Sequence, residues 1–257
     1  MTAISFENIS KIYKYGFKKI TVLAGLTLDV NEGEIFGFLG PNGAGKSTAI
    51  KLLLNFIRPN TGRITINGLV AGKDNFQALI GYLPETPCFY ENLTGLETLW
   101  FAGRASGMDN KSVKQKAVET LKRLDLETAG SMPVKTYSKG MKQRLGLAVA
   151  LIHDPQIYIL DEPMSGLDPM GRRLITDVLF ELHEKGKTVF FSSHILSDVE
   201  KLCDRIGILH KGKLLFCGKT GDMTKNNMTR DNTISDRGDL EDTFVNLINE
   251  HEGVKNV

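Results

Sequence analysis

Nine consecutive residues, Gly40 to Thr48, read GPNGAGKST. Their order, G-x-x-x-x-G-K-S, suits one kind of chemistry. The stretch Gly40, Pro41, Asn42, Gly43, Ala44 and Gly45 is small enough for main-chain amides to curl around a phosphate. Lys46 adds a point charge for β- and γ-phosphate oxygens, and the Ser47 hydroxyl, followed by Thr48, suits a Mg²⁺ ion. A second stretch, IYILDEP at 157–163, is an apolar run that ends in two acids. Carboxylates are costly to bury without partners, so the pair implies a task. Asp161 suits the outer shell of Mg²⁺, and Glu162 suits a base that orients and deprotonates an attacking water. A third stretch, YSKGMKQRL at 137–145, has a hydroxyl, a lysine and a glycine ahead of basic residues. It reads as a helix start able to bind an anion. One chain thus carries two anion-binding helix starts nearly a hundred residues apart.

The elements that must position these groups follow from periodicity. ISFENI and TVLAGLTLDV alternate as half-exposed strands. EIFGFLG is an apolar strand running into the glycine loop, and a helix is expected from about Ser47 through STAIKLLLNFI. GRITING is a further strand. From about Thr86 to Ile152 the pattern turns helical. Val113, Ala117, Leu121 and Leu124 share one helix face, and Met141, Leu145, Ala148 and Ile152 share another. IYIL returns to strand. Asp168-Pro169 opens a helix that runs to Gly186, KTVFFSSH is a strand, and IGILHKGKLLFCG reads as a hairpin. Strands alternating with helices predict an α/β fold with a largely parallel sheet, interrupted by a helical subdomain at about 86–152. After Gly218 a polar, weakly structured connection is expected, leading into a short helix, LEDTFVNLINE.

The bulk composition excludes several classes. Of 257 residues, 41% are hydrophobic and the net charge is +2, so no global preference for polyanions follows. Residues 104–144 hold ten Lys/Arg and four Asp/Glu, and residues 222–257 hold four Lys/Arg and eight Asp/Glu. Each imbalance is read as a solvated face. Three scattered cysteines fit a reducing compartment without disulfides. The N-terminus lacks a signal-peptide core, and no apolar run approaches the ~18 residues a membrane span needs. Trp100 is expected in the core of the helical subdomain. His153, His183, His210 and His251 are expected to be structural or surface residues.

Taken together and in this order, the motifs resemble the ATP-binding-cassette (ABC) ATPases. YSKGM resembles the family's signature Leu-Ser-Gly-Gly-Gln, keeping Ser138 and Gly140 while Tyr137, Lys139 and Met141 differ. Tyr13 matches the aromatic residue that stacks on adenine, with Tyr15 as its rival. Glu85 in GYLPE stands where the family has Gln, SGLD at 165–168 follows the acids, and His194 matches the histidine that contacts the γ-phosphate. The resemblance covers about residues 2–220, leaving 221–257 as a C-terminal extension. It implies a P-loop NTPase core with an antiparallel β subdomain and an inserted helical subdomain. It also implies ATP and Mg²⁺ as ligands, with Ser47, Glu85 and Asp161 on the metal.

The resemblance answers why one chain carries two anion sites. In this family two cassettes pack head to tail, and the signature (here Ser138, Lys139 and Gly140, with Asp168 nearby) closes on the ATP held by the other copy. The implied partners are a second cassette, identical or a sister chain, and a separate membrane permease, with the chain at the inner face of the cell membrane and no nucleic acid bound. YLPE and YSKGM resemble single-cassette subunits that serve separate type-2 permeases of exporters for drugs, antibiotics, peptides and lipid-linked polymers. The competing expectations are a soluble cassette acting on ribosomes or DNA, and a switch that binds ATP without turnover. Intact Lys46, Asp161, Glu162 and His194 argue against the switch.

Overall fold

The structure, a computed structural model, describes residues 1–225 and 240–252. In chain order the elements are β1 (Thr2–Tyr15), β2 (Lys18–Asn31), β3 (Ile35–Leu39), α1 (Lys46–Leu53), β4 (Thr61–Ile66), β5 (Leu69–Val70), β6 (Ile80–Leu83), α2 (Gly95–Ala105), α3 (Asn110–Arg123), α4 (Lys139–Leu151), β7 (Ile157–Asp161), α5 (Pro169–Glu184), β8 (Thr188–Ser193), α6 (Leu196–Leu202), β9 (Arg205–His210), β10 (Lys213–Lys219), α7 (Thr220–Lys225) and α8 (Leu240–Glu252). They divide into two compact units, 1–74 with 192–257 and 75–191, the division falling inside β8.

The first unit holds an antiparallel sheet ordered β2-β1-β4-β5. Its inward residues, among them Ile4, Phe6, Ile9, Leu26, Leu28, Val30, Ile64 and Ile66, are buried. Each such side chain contributes about 2 kcal/mol through removal from water. β1 and β2 run farther than the local alternation predicts. Their pairing continues past Ile9 to Tyr15 opposite Lys18, because cross-strand hydrogen bonds sustain polar residues that would not form a strand alone. In the same unit β3 pairs parallel with β9, and β9 antiparallel with β10. The β9–β10 turn, Lys211-Gly212, has positive φ at both positions, 45° and 77°, as a two-residue hairpin turn of matching twist requires.

The second unit carries β8, β7 and β6 side by side, with β6 and β7 parallel. β7 is buried at every position, which is why it reads as an unbroken apolar run. Helices α2, α3 and α4 lie within the span expected to be helical, whose first part, 86–94, and later stretch, 124–138, are not α-helical. Val113, Ala117, Leu121 and Leu124 are buried together as their spacing predicts, as are Leu145, Ala148 and Ile152. Four helix starts in this unit are fixed by side chains, that of α4 by Ser138. α2 has a capping box from Thr94 and Glu97, α3 is capped by Asp109, and α5 is capped by Asp168 with Pro169 in its first turn. Trp100 departs from expectation: it is 41% exposed on α2 because the buried stripe of that helix runs through Gly95, Thr98, Leu99 and Gly103 instead.

The α/β class expected from the sequence holds. The connection after Gly218 differs in its first part, since Thr220 to Lys225 form α7. Thr220 explains the start, donating its hydroxyl to the Cys203 carbonyl at 2.9 Å. The rest of that connection, 226–239, lies outside the described residues, and the expected terminal helix is α8.

Candidate functional site

In the first unit, strand β3 delivers the chain into the glycine loop and α1 leaves it. Gly45 occupies the cap position of α1 with φ 115°, and no side chain caps the helix. That backbone suits glycine, and a Cβ there would stand 2.9 Å from Leu23 Cδ2. With no Ser or Asp capping it, the start of α1 has the form of an anion-binding helix start. Lys46 is buried, its ammonium donating to the carbonyls of Gly40 at 2.6 Å and Pro41 at 3.4 Å. The charge is thus held over the loop that would receive the phosphates. The loop is braced from behind by the β9–β10 hairpin: Gly212 N–H donates to the Ala44 carbonyl at 2.9 Å, and the Leu209 carbonyl oxygen lies where a side chain on Gly40 would be. Pro41, Asn42, Gly43, Ser47 and Thr48 occupy the loop and the first turn of α1 as expected. Tyr13 lies on β1 opposite Ile20, half-buried, with the Lys11 ammonium 5.3 Å from its ring centroid. His194 follows β8 and is exposed.

The hairpin that braces the loop also meets α8. His210 Nδ1 lies 3.2 Å from His251 Nδ1, and Glu252 approaches His210 Nε2 at 3.3 Å and the Lys211 ammonium at 2.7 Å. His210 and His251, each expected to be a structural or surface residue, are neighbours. Burial, with smaller contributions from Lys211 and His251, holds the His210 ring below the usual histidine pKa. The Glu252 carboxylate pulls the other way and is outweighed.

In the second unit, Asp161 ends β7 and Glu162 follows, both buried. Glu162 adopts φ 50°, a left-handed conformation that costs a non-glycine residue of order 1–3 kcal/mol. Its carbonyl accepts the Ser165 N–H at 3.0 Å and the Gln143 side-chain amide at 3.3 Å. Tyr82 on β6 has its hydroxyl pKa pushed up to about 12, by burial first and by the Asp161 carboxylate second. Glu85 stands just past β6, exposed.

The third motif is also in this unit. Ser138 caps α4, its Oγ accepting the Met141 N–H at 3.2 Å. That use of a lone pair leaves the hydroxyl proton to donate elsewhere. Lys139 is exposed and its stem lies along Gly166, so that a Cβ on Gly166 would be 2.6 Å from Lys139 Cε. Gly140 lies in the first turn of α4, near Leu167. Asp168 spends Oδ1 on the Gly171 N–H at 2.7 Å, as the cap of α5.

The first unit therefore carries Tyr13, the loop 40–48 and His194, and the second carries Glu85, the signature, Asp161, Glu162 and Asp168. Gln143 and the bracing turn Leu209–Gly212 were not singled out from sequence. A lone glutamine on an apolar helix face was the one available signal for Gln143. Among the described residues no cluster of three His, Cys, Asp or Glu is arranged to hold a metal. Taken singly, the Ser47 hydroxyl in the first unit and the Glu85 and Asp161 carboxylates in the second are hard-oxygen donors of the type that Mg²⁺ takes.

Comparison with known proteins bears on these motifs. The family model described as ABC transporter matches residues 23–165. An ABC transporter ATP-binding protein of Synechocystis is 46% identical over 85% of this chain and 63% of its own length. The chain thus spans less than two thirds of that relative. The linearmycin resistance ATP-binding protein LnrL of Bacillus subtilis is 39% identical over 84% of this chain and 69% of its own. The bacitracin transport ATP-binding protein BcrA of Enterococcus faecalis is 43% identical over 82% and 68%. Among solved structures, an ATP-binding subunit of an ABC transporter superposes with a TM-score of 0.83 at 32% identity, covering 95% of this chain and 99% of its own. A dimeric ATP-binding cassette in a post-hydrolysis state, bound to ADP and Pi, superposes with a TM-score of 0.79 at 27% identity, covering 84% and 98%.

Proposed function

Because this chain belongs to the ABC transporter family and is an ATPase cassette, we propose that its turnover of ATP drives a membrane exporter. Residues 1–220 form the cassette and 221–257 an extension. The observation that carries the reading is the uncapped start of α1 beneath a buried Lys46, an arrangement suited to a bound anion.

The residues divide the work. Tyr13 stacks on the adenine ring. The amides of the loop 40–48 and Lys46 hold the phosphates. Ser47, Glu85 and Asp161 would hold Mg²⁺, which when bound neutralises charge on the β- and γ-oxygens. Glu162 orients the attacking water and takes its proton, while His194 donates to the γ-phosphate. Ser138, Lys139 and Gly140, with Asp168, meet the ATP of a second copy or of a sister cassette. The exposed positions of Ser138 and Lys139 support that reading, because a ligand held by another chain must arrive from outside. The γ-phosphate then bridges two chains, and its hydrolysis removes the bridge, giving a two-state device biased by nucleotide.

Among the described residues no helix is long and apolar enough to cross a membrane; on this reading a separate permease carries the substrate, with this chain at the inner face of the membrane. The bacitracin and linearmycin relatives favour export of antibiotic-like substrates. The test is a tagged pull-down from solubilised native membranes with mass spectrometry of what co-purifies. A polytopic membrane protein with no cassette of its own is expected. Recovery with ribosomal or DNA-repair proteins instead would overturn transport and leave the ATPase.

A further inference from the structure

Gln143 is polar and 2% exposed on the otherwise apolar face of α4. Its Nε2 donates to two successive carbonyls beyond β7, Glu162 at 3.3 Å and Pro163 at 3.4 Å. Among the described residues, seven that are not glycine have positive φ: Asn8, Asn55, Asn67, Asp125, Asp154, Glu162 and Lys211. Five are Asn or Asp, whose short side chains relieve that conformation locally. Glu162 is neither Asn nor Asp, and as the base it needs its carboxylate for the water. Its carbonyl accepts two bonds, from Ser165 N–H and from the Gln143 side-chain amide. Gln143 also lies five residues after Ser138 on the helix that Ser138 caps.

We propose that Gln143 is a positioning residue for hydrolysis. Its amide fixes the left-handed main chain of Glu162, and with it the aim of that carboxylate. It thereby couples whatever engages the start of α4 to the base of the same chain. A second copy's ATP at Ser138 would then set the readiness of this chain's own water. The inference rests on the reading of Glu162 as the base.

The test uses the full chain and ATP-Mg²⁺, with rates expressed per site able to bind a fluorescent ATP analogue. Gln143→Met keeps length and removes both donors. It should lower kcat at least about tenfold with KM within about twofold, since misaimed catalytic groups lose rate rather than binding. Gln143→Glu keeps the shape but cannot donate while ionised. Its kcat relative to wild type should recover as pH falls and the carboxyl regains a proton. A role in packing alone predicts no such recovery. Ser138→Ala combined with Gln143→Met should lose less than the product of the single losses, because both act along one helix. An unchanged kcat per binding site in Gln143→Met, or a Gln143→Glu ratio flat with pH, would overturn the positioning role. Multiplicative losses would overturn the coupling. A wild-type chain that binds the analogue yet shows no turnover sinks the base assignment as well, whereas wild-type turnover beside an unaffected Gln143→Met sinks this inference alone.

Discussion

The starts of α1 and α4 use the same helix dipole in opposite ways. At α1 the cap is Gly45, no side chain satisfies the first amides, and Lys46 is folded into its own loop. At α4 the cap is Ser138, an amide is satisfied, and Lys139 lies exposed along Gly166. An uncapped start with a sequestered cation is an open socket for a ligand of the same chain. A capped start with an exposed cation is stable by itself and offers its charge outward. On the proposed reading, the contrast is how one chain would carry two anion sites that do not compete for one ligand.

The strongest way to break this comparison is Glu162→Gln. It should bind ATP, lose turnover by about 10²- to 10⁴-fold, and accumulate as a closed pair in size-exclusion chromatography with light scattering. A strictly monomeric ATP complex would remove the outward role of α4. Lys46→Ala comes next. Losing a charge-assisted contact should weaken ATP binding roughly a hundredfold, read by isothermal titration calorimetry. Comparable affinity in the variant would refute the socket. Ser138→Ala sharpens the other side. Loss of the cap should cost about 1 kcal/mol of stability in a denaturant melt, and turnover should fall about tenfold while the single chain keeps its ATP affinity. An equal fall in affinity would mean that α4 serves its own nucleotide.

The smallest effect concerns the brace behind the α1 loop. His210 has its pKa lowered in the fold, chiefly by burial. Its contribution is therefore complete above the ordinary histidine value of about 6.5 and is lost as pH falls through that value toward the depressed one. Glu252 is held below the usual carboxylate range, first by its bond to Lys211, and stays ionised throughout this window. Between about pH 7.5 and 5.5 the melting temperature should fall about 1–2 °C more in wild type than in His210→Asn. Equal falls would show that the histidine pair is inert.

The motifs were legible in the sequence where chemistry restricts residue type at fixed spacing. Gly40 to Ser47, Asp161-Glu162 and Ser138 belong to this class, and the buried stripes of α3 and α4 follow from period alone. What stayed hidden depends on contacts distant in sequence. His210 and His251 are 41 residues apart, and no local pattern pairs them. The left-handed Glu162 is set by Gln143 and Ser165, and its own type gives no sign of it. The length of the β1–β2 hairpin comes from cross-strand bonds, which a reading of single-strand alternation does not see.

Trp100 carries an optical consequence. It is the single tryptophan of the chain, and it stands 41% exposed on α2 in the second unit. Excitation at the red edge of protein absorption therefore reads one unit and leaves the other dark. The unit with the signature and Glu162 has a built-in fluorophore, while the unit with the phosphate loop has none. Emission that shifts on adding ATP would report an event felt in the unit of the signature and Glu162, without any label attached.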